Sequence, residues 1–251
     1  MMLADIHNHS LWGVDDGPKN RKTTLDMIAS SYRDGVRYLC LTPHCHPGYF
    51  GDNFRKTEEA FADLKQAAAQ QYPDLQLILG NELRYAPNCS GWLREGYCRT
   101  IHGSDYVLVD FSEWEKQKTI ETGLERLLNA GYIPVLAHAE RYRNLDRKLQ
   151  KIQEFRSNSV LIQVDARALF GKFGLRAKLQ TDALLRKDLV DFISTDAHDL
   201  KERPPLLSDA YNYVAKKYGQ TRADAVCCEN ARSLFFEPVN GKDQEEIYGK
   251  W

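Results

Sequence analysis

The sequence carries no surplus of charge: 34 Lys and Arg against 35 Asp and Glu leave a formal net charge of −1 at pH 7. That argues against a dedicated nucleic-acid binder, which normally carries a basic excess. No apolar run approaches the length of a membrane span, and the opening "MMLADIHNH" lacks the basic-then-apolar layout of a signal peptide. A cytoplasmic protein without an integral membrane segment is therefore expected. The six cysteines (Cys40, Cys45, Cys89, Cys98, Cys227 and Cys228) form no CxxC pair and no small secreted disulfide layout, so reduced thiols are the expectation. None has an arginine six residues downstream, which removes the Cys-x5-Arg loop and with it one route to phosphate chemistry.

What is present is a repeated alternation of short apolar runs and helical patterns. Strand candidates fall at 3–7, 37–41, 75–79, 105–109, 133–137, 160–164 and 190–194. Between them, Leu25, Ile28, Ala29, Tyr32 and Val36 recur at helical spacing from Asn20 to Gly35, and Ile120, Leu124, Leu127 and Leu128 recur up to Gly131. "EEAFADLKQAAAQ" and "LLSDAYNYVAKKYG" read the same way. Apolar strands alternating with helices indicate parallel strands buried on both faces. With 251 residues, 43% of them hydrophobic, the chain suits one α/β barrel. We expect a single closed or nearly closed barrel over residues 1–236, followed by a polar tail, 237–251.

The polar residues at the ends of these strands are the informative ones. In "DIHNHSLWGVDDGP", residues two apart in an extended segment face the same way, so His7 and His9 point together, with Asp5. Later strands deliver His44, Glu82, Asp110, His138, Asp165, and then Asp196 with His198. Five of the seven histidines (His7, His9, His44, His138 and His198) stand at these ends. In a parallel barrel such ends meet at one mouth, where catalytic groups sit. Imidazole and carboxylate together suit Zn, Mn or Fe, and the absence of thiolates disfavours a structural zinc finger. The donors exceed what one tetrahedral ion can use, so two or three divalent ions sharing carboxylates are expected. Such clusters ionise water at neutral pH and clamp a phosphoryl group. Arg141 follows His138 by three residues and Arg203 follows His198 by five; a planar guanidinium suits phosphate oxygens.

The segments "DIHNHSLWGVDDGPKN", "LTPHCHPGYF", "GNEL", "DYVLVDF", "IPVLAHAERY", "FISTDAHDLKERPP" and "AYNYVAKKYG" resemble, in order, the PHP (polymerase and histidinol phosphatase) superfamily. Within it they resemble the metal-dependent protein-tyrosine phosphatases of bacterial capsule and exopolysaccharide operons. The resemblance implies a deformed (β/α)7 TIM-like barrel holding divalent ions, usually Mn, Fe or Mg. It implies His7, His9, Asp16, His44, Glu82, Asp110, His138, Asp196 and His198 as metal ligands, with Arg141 and Arg203 on the phosphate. His46 is implied as a helper with the phosphate or the leaving group. Asp110 stands where the family usually has Glu, and Asp165 where it has Asn or Thr. Asp165 is left between a metal ligand and a hydrogen-bond acceptor. The implied reaction is in-line attack on phosphotyrosine by a metal-bridging hydroxide, with a metal, His44, His46 or Asp196 assisting the leaving group. The implied partner is the tyrosine-rich tail of a bacterial tyrosine autokinase. Rival readings are a histidinol-phosphate or other small phosphomonoester phosphatase, a small-nucleotide exonuclease, and a non-catalytic module that binds phosphoprotein.

Overall fold

The structure is a computed structural model that describes residues 2–49, 53–145 and 149–236; the expected tail, 237–251, lies outside them. Nine strands are assigned among these residues: β1 (Leu3–Asp5), β2 (Val36–Leu41), β3 (His44–Cys45), β4 (Gln76–Leu79), β5 (Glu82–Arg84), β6 (Tyr106–Asp110), β7 (Ile133–Leu136), β8 (Leu161–Asp165) and β9 (Phe192–Ser194). All seven expected strands are there, displaced by one or two residues at their ends. The main helices are α1 (Arg21–Arg33), α2 (Phe54–Gln71), α3 (Cys89–Arg94), α4 (Gln117–Asn129), α5 (Gln150–Ser157), α6 (Gly174–Arg186), α7 (Ser208–Tyr218), α8 (Gln220–Asp224) and α9 (Asn230–Phe236). No helix among the described residues is long and apolar enough to cross a membrane.

Local chemistry sets the helix ends. The Asn20 side chain caps α1 by accepting the Thr23 N–H at 2.9 Å. Gly35 ends that turn at φ 102°, a backbone state that favours glycine. Val36, expected on the helical face, therefore opens β2 instead.

Every strand pairing is parallel, in the orders β1-β2-β4 and β3-β5-β6-β7-β8-β9. β3 and β5 continue the courses of β2 and β4 after two-residue breaks, Thr42–Pro43 and Gly80–Asn81. Sequence reading did not separate them because each is too short to show a pattern. The circle closes beyond β1 and β9, where Asn8 bridges Ala197 and the Asp196 N–H donates to the His7 carbonyl at 2.9 Å. One buried cluster unites Ala4, Ile6, Cys40, Ile78, Leu108, Val135 and Phe192 from strands all round the sheet with Ala231, Leu234 and Phe235 of α9. Residues from so many strands meet only inside the barrel, so α9 plugs its lower end. The polar residues are left to the opposite, C-terminal end of the strands.

The thiol expectation needs one correction. Cys45 and Cys98 form a disulfide with Cα atoms 5.8 Å apart, joining β3 to the segment after α3, while Cys40, Cys89, Cys227 and Cys228 are free. The two partners are 53 residues apart in sequence and meet only because β3 exists, so no spacing motif announces them.

Candidate metal centre

His7 and His9 are fully buried, and their Nε2 atoms face each other at 3.1 Å, so the extended segment does aim both rings at one point. Asp5 does not join them. Its carboxylate turns to the Thr195 hydroxyl (2.6 Å), the Thr195 N–H (3.1 Å) and the His7 N–H (3.2 Å), tying β1 to the chain after β9. Burial raises the Asp5 carboxyl.

Three groups of ligand atoms each lie within 4.8 Å of one another: His7, His9 and Glu82; Glu82, Asp110 and His138; and His9, Asp16, His44 and His198. Glu82 links the first two and also meets His44 Nδ1 at 2.7 Å. Asp196 Oδ1 lies 3.3 Å from His7 Nε2 and 3.5 Å from His9 Nε2. His138 Nε2 stands 2.9 Å from Glu82 Oε1 and 3.6 Å from Asp110 Oδ1. Asp16 Oδ1 is 3.2 Å from His198 Nε2 and 3.3 Å from His44 Nε2. The loop that delivers Asp16 returns onto β1 so closely that a Cβ on Gly17 would strike the His9 carbonyl oxygen, which accounts for the glycine in "DDGP". His138 (φ 34°) and Asp196 (φ 49°) both sit in the left-handed region, a strain tolerated where surrounding structure demands it.

The electrostatics follow from packing acids and imidazoles together. Burial disfavours charge on His44, yet Glu82, Asp16 and Asp15 raise it to about 11; burial opposes His7 too, and Glu82 with Asp196 raises it to about 9. Burial likewise opposes ionised Glu82 and Asp196, but the imidazoles, and for Asp196 the two arginines, hold both far below the usual carboxylate range. The imidazoles of His198 and His44 beside it keep Asp16 low. His138 Nδ1, His198 Nε2 and Glu82 Oε2 are buried without a well-formed hydrogen bond. A dense set of imidazole nitrogens and carboxylate oxygens with orphaned polar atoms fits divalent ions.

Arg141 and Arg203 both reach Asp196 Oδ2, at 2.6 and 2.8 Å. Arg141 also binds Asp165 Oδ2 at 2.5 Å and stacks on Phe173, its guanidinium carbon 4.0 Å from the ring centroid. Both arginines line a cavity of about 330 Å³ together with His44, Glu82, Asp110 and His138. Asp165 is an arginine partner and caps the following turn through the Arg167 N–H at 2.7 Å; it belongs to none of the ligand groups. His46 is not on the cavity wall. Its ring packs edge-on against Trp92 and Tyr49, with centroids 5.5 and 6.0 Å away.

Sequence reasoning missed three residues here. Arg84 also lines the cavity and holds Asp110 Oδ2 at 2.9 Å; its signal was a place two residues after Glu82, on the same face of a strand. Asp15 and Gln163 stand behind the rings. Asp15 was overshadowed by its neighbour Asp16, and Gln163 is a polar residue inside the apolar "VLIQV", which is unusual for a buried strand.

Comparison with known proteins agrees with this geometry. The family described as "Capsular polysaccharide synthesis, CpsB/CapC" matches residues 3–236. The tyrosine-protein phosphatase CpsB of Streptococcus pneumoniae is 32% identical over 242 residues, covering 94% of this chain and 100% of its own. CpsB of Streptococcus agalactiae serotype III is 32% identical, covering 92% of this chain and 98% of its own. A solved chain described under "Crystal structures of YwqE from Bacillus subtilis and CpsB from Streptococcus pneumoniae, unique metal-dependent tyrosine phosphatases" superposes with a TM-score of 0.77 at 25% identity, over 89% of this chain and 90% of its own. Histidinol phosphate phosphatase from Lactococcus lactis shares the fold, with a TM-score of 0.57 at 16% identity over 87% of this chain and 95% of its own. With a parallel barrel, clustered imidazoles and carboxylates at its mouth and a family match along nearly its whole length, the chain belongs to the CpsB/CapC family of capsular polysaccharide synthesis.

Proposed function

We infer that this chain is a metal-dependent protein-tyrosine phosphatase. The observation that carries the reading is the meeting, in one cavity, of ligand groups sharing Glu82 with two guanidiniums converging on Asp196. His7, His9, Glu82 and Asp196 would hold one ion, Glu82, Asp110 and His138 a second, and Asp16, His44 and His198 a third. Manganese suits this donor set, with iron, magnesium or zinc as the alternatives. When bound, the ions supply an ionised water at neutral pH and polarise the phosphoryl oxygens.

The remaining work falls to the protein's own groups. Arg141 and Arg203 bind the non-bridging phosphoryl oxygens and stabilise charge as it gathers there. Asp196 holds both guanidiniums in place before substrate arrives, and Phe173 fixes the plane of Arg141, so little reorganisation is needed at the moment of reaction. The leaving phenolate, of pKa about 10, needs only modest assistance. We take the protein substrate to be a tyrosine autokinase of a polysaccharide-export system, met on its tyrosine-rich tail in the cytoplasm. The capsule-synthesis description of the family supports that setting.

The test is phosphate release from a phosphotyrosyl peptide with added Mn²⁺, then with excess chelator, beside histidinol phosphate as a rival substrate. Peptide turnover that depends on metal and survives thiol alkylation is expected. Turnover lost to alkylation with metals intact would refute the mechanism, and preference for histidinol phosphate would refute the substrate class.

A further inference from the structure

Behind the rings of His7 and His9 lie two polar side chains that no role in phosphate or metal binding explains. Asp15 Oδ2 accepts from His9 Nδ1 at 2.7 Å and from the backbone N–H of His44 at 3.1 Å, and Asp15 Oδ1 accepts from the Gly17 N–H at 2.9 Å. The carboxylate is fully buried. Gln163, also fully buried, repeats the pattern on the other side. Its Oε1 accepts from His7 Nδ1 at 3.1 Å and from the backbone N–H of His138 at 2.8 Å. Each side chain thus grips at Nδ1 one of the two imidazoles that follow β1, and the backbone of His44 or His138 from another part of the barrel.

We propose that Asp15 and Gln163 are paired positioning residues of the metal centre, each fixing one imidazole as the tautomer that offers Nε2 and tying it to a second ligand, His44 or His138. This rests on the metal reading above. The chemistry is specific. With Nδ1–H committed to an acceptor, the lone pair stays on Nε2, where the two rings face each other. The pairing also links the ligand groups, because His44 belongs to the Asp16–His198 group and His138 to the Glu82–Asp110 group. The two holds differ in kind. His9 is held by a carboxylate and His7 by a neutral amide.

The test uses the whole chain, with Zn²⁺ as a diamagnetic probe, in wild type, D15N and Q163M. The amide in D15N keeps the shape of the carboxylate but replaces two charged acceptor oxygens with one neutral one, so its hold on His9 Nδ1–H weakens. Zn²⁺ affinity, read by competition with a chelating dye, should fall about 10- to 100-fold in each variant. Nitrogen-15 spectra of the Zn²⁺-loaded wild type should show hydrogen-bonded Nδ1–H signals for both His7 and His9. D15N should shift the His9 signal and leave that of His7 in place; Q163M should lose the His7 signal and leave that of His9 in place. A residue that merely props up the fold would not give this ring-by-ring split. Affinities within threefold of wild type, or a His9 in the wild type without a proton on Nδ1, would overturn the proposal. If D15N fails to fold, the wild-type spectrum and Q163M still decide it. A folded wild type that binds no Zn²⁺, Mn²⁺, Mg²⁺ or Fe²⁺ would overturn the metal reading itself and this proposal with it, whereas strong binding left untouched by both variants would remove only the positioning role.

Discussion

Replacing Arg141 with methionine separates what this residue does for the reaction from what it does for the fold. The side chain is 19% exposed and one of its nitrogens serves both Asp165 and Asp196. Methionine keeps much of the length and can lie on Phe173, but leaves two buried carboxylates short of a cation. Leaving a buried charge unpaired costs about 3–5 kcal/mol; Arg203 and Arg167 still serve the two carboxylates, so this is a ceiling, and the melting temperature should fall by at most about 6 to 20 °C. That loss should be largest in metal-free protein, because bound cations would serve Asp196 as partners. In the reaction, one charge-assisted hydrogen bond to a phosphoryl oxygen contributes about 1.5–3 kcal/mol, so kcat/KM should drop by about 10- to 150-fold. Both a higher KM and a lower kcat are expected, since the guanidinium holds phosphate before and during the displacement. Arg141→Lys should fall between the two, keeping the charge but losing the fork. The assays are steady-state phosphate release from a phosphotyrosyl peptide and thermal unfolding with and without Mn²⁺. A folded Arg141→Met protein with kcat/KM within threefold of wild type would refute the phosphate-binding assignment.

Other perturbations reach different parts of the molecule. Glu82→Gln removes a carboxylate shared by two ligand groups, so it should reduce bound metal by more than one equivalent in elemental analysis; full occupancy would contradict the shared role. Asp182 reports on pH. Burial would raise its carboxyl, but hydrogen bonds from Lys217, Tyr218 and Tyr213 outweigh burial and leave it depressed. A carboxyl depressed on folding contributes stability that is full above its unfolded pKa and fades as pH falls toward the folded one. Asp182→Asn should therefore be destabilised at pH 7, with the gap to wild type closing below about pH 4. A gap of constant size down to pH 2 would be the contrary result in acid unfolding. The Cys45–Cys98 bond predicts that unreduced, denatured protein titrates only the thiols of Cys40, Cys89, Cys227 and Cys228; six reactive thiols would disprove it.

The sequence by itself determined the alternation of seven strands with helices, because apolar runs and helical spacing are local patterns that burial imposes on neighbouring residues. It also determined which side chains could ligate metal, since imidazoles and carboxylates at the ends of buried strands have few other reasons to be there. Only the tertiary structure decided which atoms meet. The short strands β3 and β5 come from breaks at Thr42–Pro43 and Gly80–Asn81, and they bring His44, Arg84 and Cys45 to their places through pairings that no sequence window contains. His46, two residues from His44, turned to Trp92, while Asp165 became an arginine partner, because Arg141 reaches it from another segment and Arg167 folds back onto it from two residues on. The contacts of Asp15 and Gln163 also belong to this second kind. A hydrogen bond between residues 156 positions apart, such as that of His7 with Gln163, depends on strand register and barrel closure, and those are settled by packing of the whole ring at once.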